Sequence, residues 1–212
     1  MPPSQRTRIK ICGLTREADV EAAVAAGADA VGFVLYAKSV RGIAVERAAE
    51  LARGLPPFIT PVGLFVNADP TLVERAVAAM PTLLLQFHGD ETPEQCAAAG
   101  RPFVRAARME EGFDLLDFAA RFSNAMALLL DAHVEGFGGG GKVFDWSRIP
   151  PSVPLPVVLS GGLNPANVTD GVLHVRPFAV DVSTGVEISK GVKSGPLMRR
   201  FCKAVRDADA RL

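Results

Sequence analysis

The sequence predicts an α/β protein built as a single (β/α)8 TIM barrel over its 212 residues. One observation is a series of eight short, nearly continuous apolar runs, the pattern of parallel strands covered on both faces. Another is the amphipathic, Ala-rich segment that follows most of them, so that strand and helix alternate. The third is the lack of any composition break between units, which favours closure into one barrel over the runner-up, an open doubly wound sheet.

In chain order, the run RIKIC ends at Cys12 and is followed by the helical READVEAAVAAGA. AVGFVL ends at Leu35 and leads to AVERAAELARGL. ITPVGLFV is read to Asn67 and LLLQF to His88. Their helices, PTLVERAVAAM and TPEQCAAAG, carry Pro70 and Pro93 near the first turn, where a missing N–H costs nothing. FVRAA, ending at Ala107, leads to FDLLDFAARF. MALLLD ends at Asp131 and leads instead to GFGGGGKVFDWSRIPPSVPLP, read as a long loop with at most a short helix. PVVLS closes at Ser160 before a helix beginning near Asn164, and FAVDVS at Ser183 before the last helix, GPLMRRFCKAVRDADARL. Residues 1–7 are expected to be disordered or loosely attached.

Composition narrows the function. The chain has 23 basic and 23 acidic residues and no dense Lys/Arg block, so it carries no nucleic-acid footprint. No apolar stretch reaches the roughly 20 residues of a membrane span, and MPPSQRTR lacks the apolar region of a secretory signal. The three cysteines, Cys12, Cys96 and Cys202, are widely spaced, which argues against a disulfide framework or a zinc site and fits a reducing cytoplasm. No HxH or HExxH spacing exists, so no metal site is expected.

In such a barrel the chemistry sits where strands end. Cys12 closes the first run just before Gly13, facing whatever lies beyond the strand. Asp131 ends the sixth; it reads as a general acid or base, or else as a helix-cap or salt-bridge aspartate. Gly161 and Gly162 follow the seventh run, and Ser183, Thr184 and Gly185 follow the eighth. Glycines let backbone N–H groups approach an anion, and paired loops seven and eight form the recurrent phosphate cup of barrel enzymes. Arg41, in YAKSVRGI, has a fork suited to a carboxylate, although it and Lys38 read equally as solvated loop charges. Lys10 alternates with Cys12 and shares its face. If that face is interior, Lys10 needs an anion, and Asp181 on the neighbouring eighth strand is the candidate. Lys10, Asp181 and His88 are therefore candidate pocket-lining residues; Cys96 and Cys202 read as helix core.

Read together, the segments KICGLT, VGFV followed by KSVR, VGLFVN, LQFHGDE, LLLDAH, FDW, LSGGLNPANV and DVSTGVE resemble, in order and through nearly the whole chain, the phosphoribosylanthranilate isomerases of tryptophan biosynthesis. The resemblance implies a cofactor-free and metal-free isomerase of a small phosphosugar. It implies Cys12 as general base, Asp131 as general acid, Arg41 on the anthranilate carboxylate, and Gly161, Gly162, Ser183, Thr184 and Gly185 around the phosphate. It also implies a cytoplasmic protein, monomer or homodimer, with no nucleic-acid or membrane partner. Gly140 stands where the family often has threonine, and Thr184 where serine is common. The related histidine-pathway aldose isomerases use an aspartate where this chain has Cys12. A non-catalytic phosphate-binding barrel would keep the glycine loops without needing Cys12, Asp131 and Arg41 together.

Overall fold

The first strand, β1 (Arg8–Cys12), is hydrogen-bonded on one side to β2 (Ala30–Val34) and on the other to β8 (Ala179–Val182), both parallel, and that double pairing closes the sheet. The computed structural model describes residues 6–132 and 143–212. Between β2 and β8 run β3 (Thr60–Phe65), β4 (Leu84–Phe87), β5 (Phe103–Met109), β6 (Ala127–Ala132) and β7 (Val157–Leu159), in sequence order around the barrel. The expected (β/α)8 barrel is thus the fold.

Because successive side chains of a strand point to opposite faces, each apolar run serves two cores. Outward residues such as Ile9, Ile11, Phe33, Phe65 and Leu130 pack under the helices. These are α1 (Glu17–Ala26), α2 (Val45–Arg53), α3 (Pro70–Ala79), α4 (Pro93–Ala98), α5 (Leu115–Arg121), α6 (Val168–Val175) and α7 (Gly195–Asp209). Inward residues Val104, Ala106, Ala127, Leu129, Val158 and Ala179 form a second, smaller apolar cluster inside the barrel. Above it the interior turns polar: Lys10, Gln86, Ser160 and Asp181 are all buried. The barrel is therefore apolar where its strands begin and ionic where they end.

Local chemistry sets the helix starts. Asp69, Asp114 and Ser194 accept backbone N–H bonds at the first turns of α3, α5 and α7, and Thr92 forms a capping box with Gln95 at α4. Pro70 and Pro93 occupy first-turn positions, as their spacing predicts.

Four boundaries depart from the sequence reading. Strand β5 continues past Ala107 because Arg108 and Met109 pair with Asp131 and Ala132 of β6. Helix α6 starts at Val168 rather than near Asn164, since Asn164 and Asn167 side chains bind neighbouring backbone and wind the chain into turns first. The start of the chain is tethered by residue 7: Thr7 is buried, and its N–H and hydroxyl both donate to Asp209 at the end of α7. Finally, β9 (Glu187–Ser189) and β10 (Val192–Lys193) form an antiparallel hairpin between β8 and α7, where the apolar pattern predicts no strand. Between β6 and β7 the described residues contain one 3₁₀ turn, Trp146–Arg148. His133 and Gly140 lie outside the described residues. Among the described residues no helix is long and apolar enough to cross a membrane.

Arg105, on the outer face of β5, is 4 % exposed. It donates to the carbonyls of Phe87, Gly89 and Glu91, its charge lies 3.5 Å from the Glu91 carboxylate, and its guanidinium stacks on Phe118 and Phe122. Glu91 in turn accepts from the N–H groups of Asn67 and Gly89. This buried clamp fixes the chain just beyond β3 and β4, and with it His88.

Candidate active site

Strand alternation brings the sequence-predicted side chains to one end of the barrel. Lys10 and Cys12 of β1 both point inward, and Lys10 is in register with Asp181 of β8. The Lys10 ammonium donates to Asp181 Oδ1 at 2.8 Å, with both side chains under 10 % exposed, and Ser160 Oγ donates to Asp181 Oδ2 at 3.3 Å. The anticipated Lys10–Asp181 pair is therefore formed. The space for it comes from β2. Gly32 sits opposite Cys12, and a Cβ at Gly32 would stand 2.8 Å from the Cys12 sulfur and 3.2 Å from Lys10 Cε.

Cys12 is buried, and burial pushes its thiol above the ordinary range. Lys10 and Lys193 pull it down and Asp181 pushes it up, so the cations do not outweigh burial. Among the charges, Lys10 acts on the thiol most strongly even while it pairs with Asp181. Lys10 itself stays charged: burial works against its ammonium, but Asp181 and Cys12 together raise it. The other two thiols are also held protonated by burial, Cys96 near 12 and Cys202 near 11.

Asp131, one residue before the end of β6, lies next to His88, whose Nε2 is 3.2 Å from Asp131 Oδ2, while His88 Nδ1 lies 3.1 Å from Gln86 Nε2. With the Gln86 amide donating to Nδ1, the proton of a neutral imidazole resides on Nε2 and is donated to Oδ2. The remaining oxygen, Oδ1, faces Gly161: a Cβ there would lie 2.8 Å from it and collide with the backbone N of Ala132. Gly161 and Gly162 both adopt positive φ, 76° and 65°, which an L side chain rarely does. A side chain at Gly185 would run into Leu163 O, so loops seven and eight pack backbone against backbone. The N–H groups of Gly161, Gly162, Thr184 and Gly185 have no acceptor among the described residues, the arrangement an anion fills.

Arg41 is no solvated loop charge. Its Nε and Nη2 bond both oxygens of Glu187 at 2.7 and 2.8 Å, leaving Nη1 without an acceptor among the described residues. Its Cδ packs 2.5 Å from where a Cβ of Gly13 would be, so the arginine lies over the turn that follows Cys12. Lys193 Nζ, wholly buried, donates to Glu187 Oε1, Ser183 O and Ser183 Oγ.

Gln86, Glu187 and Lys193 were missed by sequence reasoning. Gln86 had a signal: a polar residue in the apolar run LLLQF, two before His88 and so on its face. Among the described residues no group of three or more His, Cys, Asp or Glu is placed to hold a metal ion.

A family model described as N-(5'phosphoribosyl)anthranilate (PRA) isomerase matches residues 9–204. The chain belongs to the phosphoribosylanthranilate isomerase family. A curated member from Leptothrix cholodnii, named N-(5'-phosphoribosyl)anthranilate isomerase, is 71% identical over 206 residues, covering 97% of this chain and 94% of the relative. Among solved structures, a family isomerase in complex with reduced 1-(o-carboxyphenylamino)-1-deoxyribulose 5-phosphate superposes with a TM-score of 0.81 at 36% identity, covering 95% of this chain and 99% of that one. Monomers generated from the dimeric family isomerase of Thermotoga maritima superpose with a TM-score of 0.83 at 36% identity, with the same coverage.

Proposed function

We propose that Asp131 and Cys12 act as acid and base in the Amadori rearrangement of N-(5'-phosphoribosyl)anthranilate to 1-(2-carboxyphenylamino)-1-deoxyribulose 5-phosphate, a step of tryptophan biosynthesis. One observation carries the assignment: the acid candidate and the anion cup are contiguous, with Gly161 seated against Asp131 Oδ1, at the same strand ends as Cys12. The Arg41 Nη1 group receives the anthranilate carboxylate, and the loop glycines with Ser183 and Thr184 receive the phosphate. Lys10, Asp181 and His88 line the pocket between them.

Asp131, protonated on Oδ1 while His88 holds Oδ2, gives its proton to the furanose ring oxygen as the C1′–O bond breaks, leaving the anthranilate nitrogen and C1′ as a Schiff base. The Cys12 thiolate removes the C2′ proton, and the electron pair moves through C1′ to the nitrogen, giving an enolamine that tautomerises to the ketone. Burial lowers the thiolate fraction but makes the ion that forms a stronger base. The test is turnover, followed by loss of anthranilate-type fluorescence, in wild type, Cys12→Ala and Asp131→Asn. Each variant is expected to lose at least about 100-fold in kcat; near-full turnover in either overturns its role.

Three unpaired, buried thiols suit a reducing compartment, and we infer the cytoplasm. For assembly we favour the homodimer over the monomer. At the other end of the barrel, Phe58 is fully exposed beside an apolar cavity of about 450 Å³ lined by Val62, Leu84, Met126, Leu129 and Phe178. A projecting phenyl ring and a cavity on one face are self-complementary across a two-fold axis.

A further inference from the structure

We propose that Glu187 and Lys193, on the β9–β10 hairpin, are positioning residues that aim the Arg41 guanidinium and the Ser183 hydroxyl at the two anionic ends of one substrate. This rests on the reading of Arg41 and Ser183 given above.

Donor arithmetic carries it. An ammonium has three hydrogens and no lone pair. Lys193 uses them on Glu187 Oε1 at 2.8 Å, Ser183 O at 3.0 Å and Ser183 Oγ at 3.1 Å. It has none left for a ligand, so this buried lysine does not itself grip phosphate. Because Ser183 Oγ accepts from Lys193, its own hydrogen points elsewhere and is available to a phosphate oxygen. Glu187 does the corresponding task for Arg41. It occupies the Nε–Nη2 edge bidentately, which fixes the plane of the guanidinium and leaves Nη1 as its open corner.

The same carboxylate oxygen, Glu187 Oε1, accepts from both cations. Lys193, Glu187 and Arg41 therefore form one buried triad of net charge +1, which holds two cations side by side without repelling each other apart. Gly13 is the pivot: a Cβ there would stand 2.5 Å from Arg41 Cδ and 3.2 Å from Ser183 Oγ, so both aimed groups flank the turn after Cys12. The hairpin is itself anchored, with Ser194 N–H donating to Val186 O at 2.8 Å and Lys193 N–H to Asp19 Oδ2 at 3.4 Å. Asp19 is fixed by a two-point bond from Arg16. The helix that follows β1 thus helps fix the distance between the carboxylate and phosphate ends of the site.

The experiment uses free anthranilate and inorganic phosphate as competitive inhibitors, each probing one end of the site. Arg41→Met and Ser183→Ala are the reference variants; if neither weakens its own inhibitor, the underlying reading of the site fails. With the references behaving, Glu187→Gln is expected to raise KM and weaken anthranilate inhibition about tenfold or more, with kcat little changed. Removing Glu187 also leaves Lys193 buried without its counter-ion, so the double variant Glu187→Gln/Lys193→Met restores charge balance and thermal stability. Its KM is expected to remain raised, with phosphate inhibition now weakened as well. If KM and both inhibition constants return to wild type as stability returns, the triad serves the fold alone and the proposal is overturned. A fall in kcat at unchanged KM overturns it equally.

Discussion

Gly32→Ala crowds the base, and Lys10 beside it, without adding bulk against the groups that receive the carboxylate and the phosphate. Gly32 lies in β2 with a backbone that any residue accepts, so the substitution acts only through its added methyl group. That methyl would stand 2.8 Å from the Cys12 sulfur and 3.1 Å from Cys12 Cα. Comfortable contact needs about 3.5–4.0 Å, so the sulfur must retreat by about 1 Å or leave its rotamer altogether. Overpacking of this kind costs about 1–3 kcal/mol, offset by the roughly 0.5–1 kcal/mol that alanine gains over glycine in a strand. Net stability therefore falls by about 2.5 kcal/mol at most. Catalysis is far less forgiving, because a misplacement of about 1 Å costs on the order of 100-fold, near 2.7 kcal/mol in the barrier. Steady-state turnover by fluorescence, a thermal melt, and inhibition by anthranilate and phosphate are measured together. The expected result is a kcat near one-hundredth of wild type with both inhibition constants intact. A kcat within about threefold of wild type in a folded variant would refute the reasoning, since it would mean that the sulfur position does not limit the reaction.

The Asp181 charge holds the Cys12 thiol up, so Asp181→Asn should move the Cys12 titration to lower pH and leave Lys10 paired with the thiolate. Thiolate absorbance against pH, with Cys12→Ala subtracted, reads this apart from Cys202 near 11 and Cys96 near 12; an upward or absent shift sinks the idea. At the opposite end, Phe58→Asp should convert a dimer into a monomer by sedimentation while sparing turnover. Phe58 has φ 72°, where aspartate is better tolerated than phenylalanine, so folding is not the cost. A wild type that already sediments as a monomer would remove the dimer.

What the sequence revealed depended on distance along the chain. The eight strands were legible because parallel strands covered on both faces must be continuously apolar, and the polar residues ending the runs then marked the site. The pairing of Lys10 with Asp181 followed from strand alternation plus closure, although the two are 171 residues apart. Glu187 could not be found that way. It lies outside the eight barrel strands, in a hairpin whose partner Arg41 is 146 residues away, and no periodicity links the two. Arg105 is similar: a charge within FVRAA demands buried partners, but three of its acceptors are backbone carbonyls, which carry no sequence signal.

The bond between Thr7 and Asp209 draws attention to where the barrel closes. Cys12 and Lys10 belong to the first strand, Asp181 and Ser183 to the last strand and its exit, so this half of the catalytic apparatus lies astride the seam of the barrel. During folding the other strand pairs form between neighbours in sequence, whereas the seam must bring together segments about as far apart as the chain allows, with the largest loop-closure entropy. A chain with all its helices and seven of its eight strand pairings would still lack its base and half of its anion cup. Recovered activity in a refolding experiment therefore reports the joining of first strand to last, an event that spectroscopic signals of helix content register only faintly.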